Sequence, residues 1–102
     1  MRIIQELSSQ IEEEIEDAKN YAKHALTVKE GHPELGQTYQ KLADSELDHV
    51  NRLHDAVTIL IKEYRAKNGD PPANMMAVYE YLHGRHIEKV ADVKAMLDMF
   101  KR

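Results

Sequence analysis

Ala43-Asp44-Ser45-Glu46-Leu47-Asp48-His49-Val50 is the stretch on which the fold and the chemistry of this chain turn. Leu42, Glu46, His49 and Leu53 recur at steps of three or four residues, so they share one side of a helix. Leu35 and Tyr39 before them, and Leu60 and Tyr64 after them, keep that side apolar. A carboxylate and an imidazole therefore stand where the pattern calls for hydrocarbon. An unpaired buried charge is costly, and such groups need protons, each other or a metal as partners. Glu46-x-x-His49 is read as a metal-binding pair, and the rest of the chain is searched for the missing ligands.

Upstream, one helix is expected from about Arg2 to Lys29. Ile4, Leu7, Ile11, Glu14, Ala18, Tyr21 and Ala25 alternate by three and four, the a/d seam of a heptad. Ile3, Ile15, Ala22 and Leu26 widen it to the stripe of a bundle helix. Glu14 is the one acid on its central line, while Glu16 points nearly the opposite way. Gly31 is placed to end this helix in a left-handed conformation and Pro33 to begin the next, from 33 to about 67, with Asn68-Gly69 closing it. A turn that short makes the two helices antiparallel neighbours. Residues level across such a hairpin have numbers that average to its turn. Glu14 with Glu46, and Tyr21 with Tyr39, both average 30, inside Glu30-Gly31. The two seam carboxylates should therefore lie level, with His49 one turn further along.

Asp70 and Pro71 suggest the cap and first turn of a third helix over 71–101. Its apolar line is Met76, Tyr79, His83, His86, Val90, Val93, Leu97 and Phe100, with Gly84 a point where it could kink. No strand pattern, repeat or linker is visible, so 1–102 is read as one domain, an all-α hairpin plus a third helix. Whether that helix docks on its own hairpin, swaps to a partner or builds a larger oligomer is left open by the pattern.

One hairpin supplies Glu14, Glu46 and His49, half of a known ligand set. A two-fold dimer would double it to four glutamates and two histidines in a four-helix core, the set that holds carboxylate-bridged metal pairs. Oxygen and imidazole donors suit iron, manganese or zinc.

At these residues the chain resembles the ferritin-like superfamily. Glu14-x6-Tyr21 and Glu46-x-x-His49 are similar to the half-motif of ferritins and rubrerythrins, carried here once rather than twice. The likeness covers about residues 2–64 and is greatest to short single-motif members that complete the site by dimerising, such as encapsulated ferritins. It implies a ferritin-like four-helix bundle made by a homodimer or higher homo-oligomer, with two iron ions per dimer site and manganese or zinc as alternatives. Glu14 and Glu46 would bind or bridge metal, His49 would cap one ion, and Tyr21 would hydrogen-bond near the centre as the catalytic tyrosine. Family chemistry is oxidation of Fe(II) by dioxygen or peroxide, coupled to iron storage or to peroxide detoxification. The chain lacks rubrerythrin's cysteine-ligated iron domain and shows no flexible cargo peptide, since Val93 to Phe100 stays helical in period. Two other functions fit the same residues: a non-catalytic helical assembly protein and a structural-metal dimer.

Composition narrows the field. With 42% apolar and 31% charged residues, no Trp, one Phe and few Gly or Pro, the 102 residues suit an all-helical domain with a thin core. A net charge of −4 argues against nucleic acid and anionic membrane as partners. No apolar run approaches a membrane span and the N-terminus does not read as a signal peptide, so a cytoplasmic address is the default expectation. Zero cysteines exclude disulfides, thiolate zinc sites and iron–sulfur clusters. Among the remaining polar residues, His54-Asp55 is read as a solvated pair or a support for the site, and His83-x-x-His86 as interface histidines with polar partners. Glu12, Glu13, Glu16 and Asp17 are read as a solvated face.

Overall fold

The computed structural model describes residues 2–102 and consists of three helices: α1 (Arg2–Val28), α2 (Pro33–Asn68) and α3 (Ala73–Lys101). The expected helices are all present, and the differences lie at their ends. Gly31 is not left-handed, contrary to expectation; the only positive φ among the described residues is at Gly69. The α1–α2 turn closes instead through backbone bonds, with His32 N–H donating to Val28 O at 2.7 Å and Gly36 N–H to His32 O at 2.9 Å. Gly69, at φ 78°, ends α2 as expected and donates its N–H to Arg65 O.

α3 begins two residues later than expected, and Asp70 does not cap it. A residue that precedes proline is pushed out of the helical region. Pro71 precedes Pro72, so the helix cannot start before the second proline, which keeps an extended φ of −53° and ψ of 136°. The Asp70 carboxylate stands 3.6 Å from Arg65 Nε instead. Helical structure continues unbroken through Gly84, so no break or split occurs there.

The core is an alternation on α1 of Ile4, Ser8, Ile11, Ile15, Ala18, Ala22 and Ala25, all buried, facing Ala43, Leu47, Val50, Val57 and Ile61 of α2. Alanines at the mid-height of both helices let the backbones approach closely. Ile15, Val57 and Val93 are the largest side chains wholly out of water, each contributing about 1.5–3 kcal/mol by burial. α3 lies chiefly along α1 and runs parallel to it: His86 and Lys89 meet Glu12, while Lys29 reaches Met99 O and sits over the Phe100 ring. The expected α3 line is correct throughout, with His86, Val93, Leu97 and Phe100 buried and Met76, Tyr79, His83 and Val90 half-buried. The result is a rod of 56 × 18 × 18 Å.

One expectation needs correcting. The line Leu35, Leu42, His49 does not face the hairpin's core; all three are exposed, and Gly36, Ala43 and Val50, one residue on, take the buried places. A one-residue step turns a helix by about 100°, so the expected stripe forms a shoulder of the hairpin. No helix of the described chain is long and apolar enough to cross a membrane.

Candidate metal centre

The shoulder is where the three expected ligands meet. Heptad spacing puts Glu14 beside the buried Ile15 on α1, and Glu46 beside the buried Leu47 on α2, at equal height across the hairpin. Glu14, Glu46 and His49 each present a ligand atom, and these atoms all lie within 4.8 Å of one another; among the described residues no other group of three such side chains does so. His49 Nδ1 stands 3.3 Å from Glu14 Oε2 and 3.8 Å from Glu46 Oε2. The second distance is too long for a hydrogen bond. Glu46 Oε2 is buried and has no hydrogen-bond partner.

That oxygen is the most informative atom of the cluster. An orphaned buried carboxylate oxygen costs several kcal/mol unless something positive reaches it. Side-chain exposure grades from 18% at Glu46 through 29% at Glu14 to 51% at His49, so the cluster is rooted in the hairpin and open on one side. The shallow hollow over it is lined by Gln10, Glu13, Glu14, His49, Arg52 and Leu53, all from α1 and α2. Two carboxylates and an imidazole ring nitrogen fit a borderline divalent metal such as iron, manganese or zinc, and three ligands from one chain leave coordination positions free. Glu16, two residues from Glu14, is exposed, as expected.

Tyr21 is level with Tyr39, as the hairpin numbering requires, and the two rings stack with centroids 6.2 Å apart. His24 stacks on the other partner, its ring 5.2 Å from that of Tyr39. Tyr21 thus sits in an aromatic layer two turns along α1 from Glu14.

A second polar cluster lies between the hairpin and α3. Glu12, assigned from the sequence to a solvated face, is there: its Oε2 meets His86 Nε2 at 2.9 Å and its Oε1 pairs with Lys89. Ion pairing with Lys89 and His86 holds the Glu12 carboxyl below its usual range, the Lys89 bond counting most, against the opposing effect of burial. Burial pushes His86 below the usual imidazole range even though Glu12 favours its charged form. His83 is pushed down by burial and by the charges of His54 and His86. Its ring stacks on that of His54 at 4.3 Å and on that of Tyr79 at 5.9 Å. These histidines have polar or aromatic partners and form no three-residue ligand group, in keeping with their reading as interface residues. The sequence signal for Glu12 was the pair His86 and Lys89, one turn apart on α3 and in need of an acid. Only the register of α3 on α1 identifies that acid.

Comparison with protein-family models, with characterised proteins and with solved structures finds no match to this chain. The site therefore rests on its own geometry.

Proposed function

We propose that the protein binds a pair of redox metal ions, iron or manganese, at a site shared by two copies of the chain, each contributing Glu14, Glu46 and His49. The observation that carries this reading is the buried Glu46 Oε2, which has no hydrogen-bond partner and stands beside Glu14 and His49. A cation there would satisfy the orphaned oxygen and relieve two neighbouring acids at once. The open side of His49 is where a second copy would close the site. Doubling three donors gives four carboxylates and two imidazoles, the donor set of ferritin-like di-metal centres in a four-helix core.

Such a bound pair supplies one-electron chemistry toward dioxygen or peroxide, so Fe(II) oxidation or peroxide detoxification is the proposed activity. The chain's residues have narrower tasks. Glu46, the most buried, anchors; Glu14 fixes the height across the hairpin; His49, at the open edge, caps one position. Tyr21 is the proposed aromatic neighbour of the centre.

The test is metal analysis of the purified protein, with absorbance followed after Fe(II) is added in air. The parent should retain close to one metal per chain and show the absorbance rise of Fe(III) formation. Glu46→Ala and His49→Ala should abolish both, and Glu16→Ala should change neither. If Glu16→Ala behaves like Glu46→Ala, the ligand assignment is wrong. Tight metal retention with no absorbance change would leave a structural-metal protein.

A further inference from the structure

A groove lies between residues 50–54 of α2 and residues 79–94 of α3, because α3 rests on α1 and barely touches α2. It encloses about 370 Å³, within the range of small-molecule sites. Its floor is Ile11, Val50 and Val90, and its polar groups include His54, His83 and Lys94. The chain carries 18 Asp and Glu in 102 residues, yet among the described residues none lines this groove. The acid nearest to it in partnership, Glu12, is already engaged by His86 and Lys89.

An apolar trough lined by histidines and a lysine and by no carboxylate, in an acidic protein, has a definite complement. We infer that this groove is a binding site for an amphipathic monocarboxylate, its hydrocarbon body on Ile11, Val50 and Val90 and its carboxylate held by Lys94 at one end, with the His54–His83 stack walling the other. The hydrocarbon body would pack over Val90, which the three helices leave half-buried. The long aliphatic stem of Lys94 lets its ammonium reach a head group while the stem lies along the apolar wall. The ring stack of Tyr79, His83 and His54 gives a rigid wall, so the site is preformed rather than assembled on binding. The assignment is independent of the metal centre, whose hollow shares no lining residue with this groove.

The experiment is calorimetric titration of the full chain with decanoate and, separately, with decylamine, both below their micellar concentrations. Decanoate should bind at one per chain and decylamine should not. Lys94→Glu should weaken decanoate roughly tenfold or more, since it replaces an attraction by a repulsion. Val90→Trp, which fills the floor, should abolish binding while leaving the helical content and the metal content of the protein unchanged. Equal binding of the two amphiphiles, or decanoate affinity untouched by Lys94→Glu, overturns the assignment. So does an Ile87→Glu variant, at the groove's edge, that converts an oligomer to monomer in sedimentation: the groove would then be an interface between copies.

Discussion

Glu12 meets two basic side chains of α3 with a single carboxylate, and this small junction makes stability depend on pH. The unfolded chain protonates His86 and His83 near the ordinary imidazole value of 6.5. The folded chain does so only at lower pH, because burial penalises the charged rings. Below pH 6.5 the unfolded state therefore binds more protons, and stability falls as pH drops toward the folded values; above 6.5 the contribution is present in full. Glu12 acts in a separate and lower window, since its carboxyl is held below 4.5 and its contribution is lost only as pH falls through that depressed value. Circular dichroism melts should show Tm decreasing as pH is lowered from about 7 to about 5. The His83→Gln/His86→Gln double variant should flatten that dependence. A parent Tm that is constant or rising across this interval would contradict it. At this scale the sequence is informative where the residues of a cluster lie close in chain or are tied by a hairpin: Glu46, His49 and Glu14 are all recoverable from spacing and from the turn's midpoint. Glu12 is not, because its partners sit on a helix whose register depends on packing alone.

Helices differ in what a single glycine does to them. Gly84 sits inside α3, and a Cβ built there meets nothing within 4 Å. Gly84→Ala should therefore stabilise the protein by about 0.5–1 kcal/mol through the backbone entropy removed from the unfolded chain. Gly36 sits inside α2, where a Cβ would fall 2.9 Å from Cε1 of Phe100, the ring that closes α3 over the α1–α2 turn. Gly36→Ala should cost about 1–3 kcal/mol from overpacking, outweighing the gain in helix propensity. Urea unfolding midpoints distinguish the two, and Phe100→Leu should remove most of the Gly36→Ala penalty, a non-additivity expected of residues in contact. If Gly36→Ala proves as stabilising as Gly84→Ala, Phe100 does not pack where the structure has it. The apolar periodicity alone identifies all three helices and the buried line of α3. It does not show that Gly36 exists to admit a ring 64 positions later. Nor does it show that the doubled proline, not Asp70, sets the start of α3.

Taken whole, the molecule is a rod with one shoulder unfinished. The expected line of α2 lies one residue off the buried one, and the reason is physical: a hairpin with α3 on one side has only enough partners to bury one stripe of α2. The antiparallel pairing could be read from the turn, whereas the seat of α3 follows from contacts such as Glu12 to His86 and Lys29 to Phe100, more than seventy residues apart. What remains exposed on this shoulder of α2 is Leu35, Leu42 and the open edge of His49. If a second copy covers this shoulder under the proposed two-fold, the same residues must govern dimer formation and metal affinity together. Sedimentation with Mn(II) or anaerobic Fe(II) should show a dimer with twice the chain mass. Leu42→Lys should yield monomer and weaken metal binding about tenfold or more, although all three ligands are intact, because it removes the other half of the site. Ile59→Lys is the control: Ile59 is also an exposed apolar residue of α2, but the helical period turns it away from the shoulder. It should leave both mass and affinity unchanged. Leu42→Lys monomers that bind metal as tightly as the parent would show that one hairpin suffices, and the shared centre would have to be abandoned.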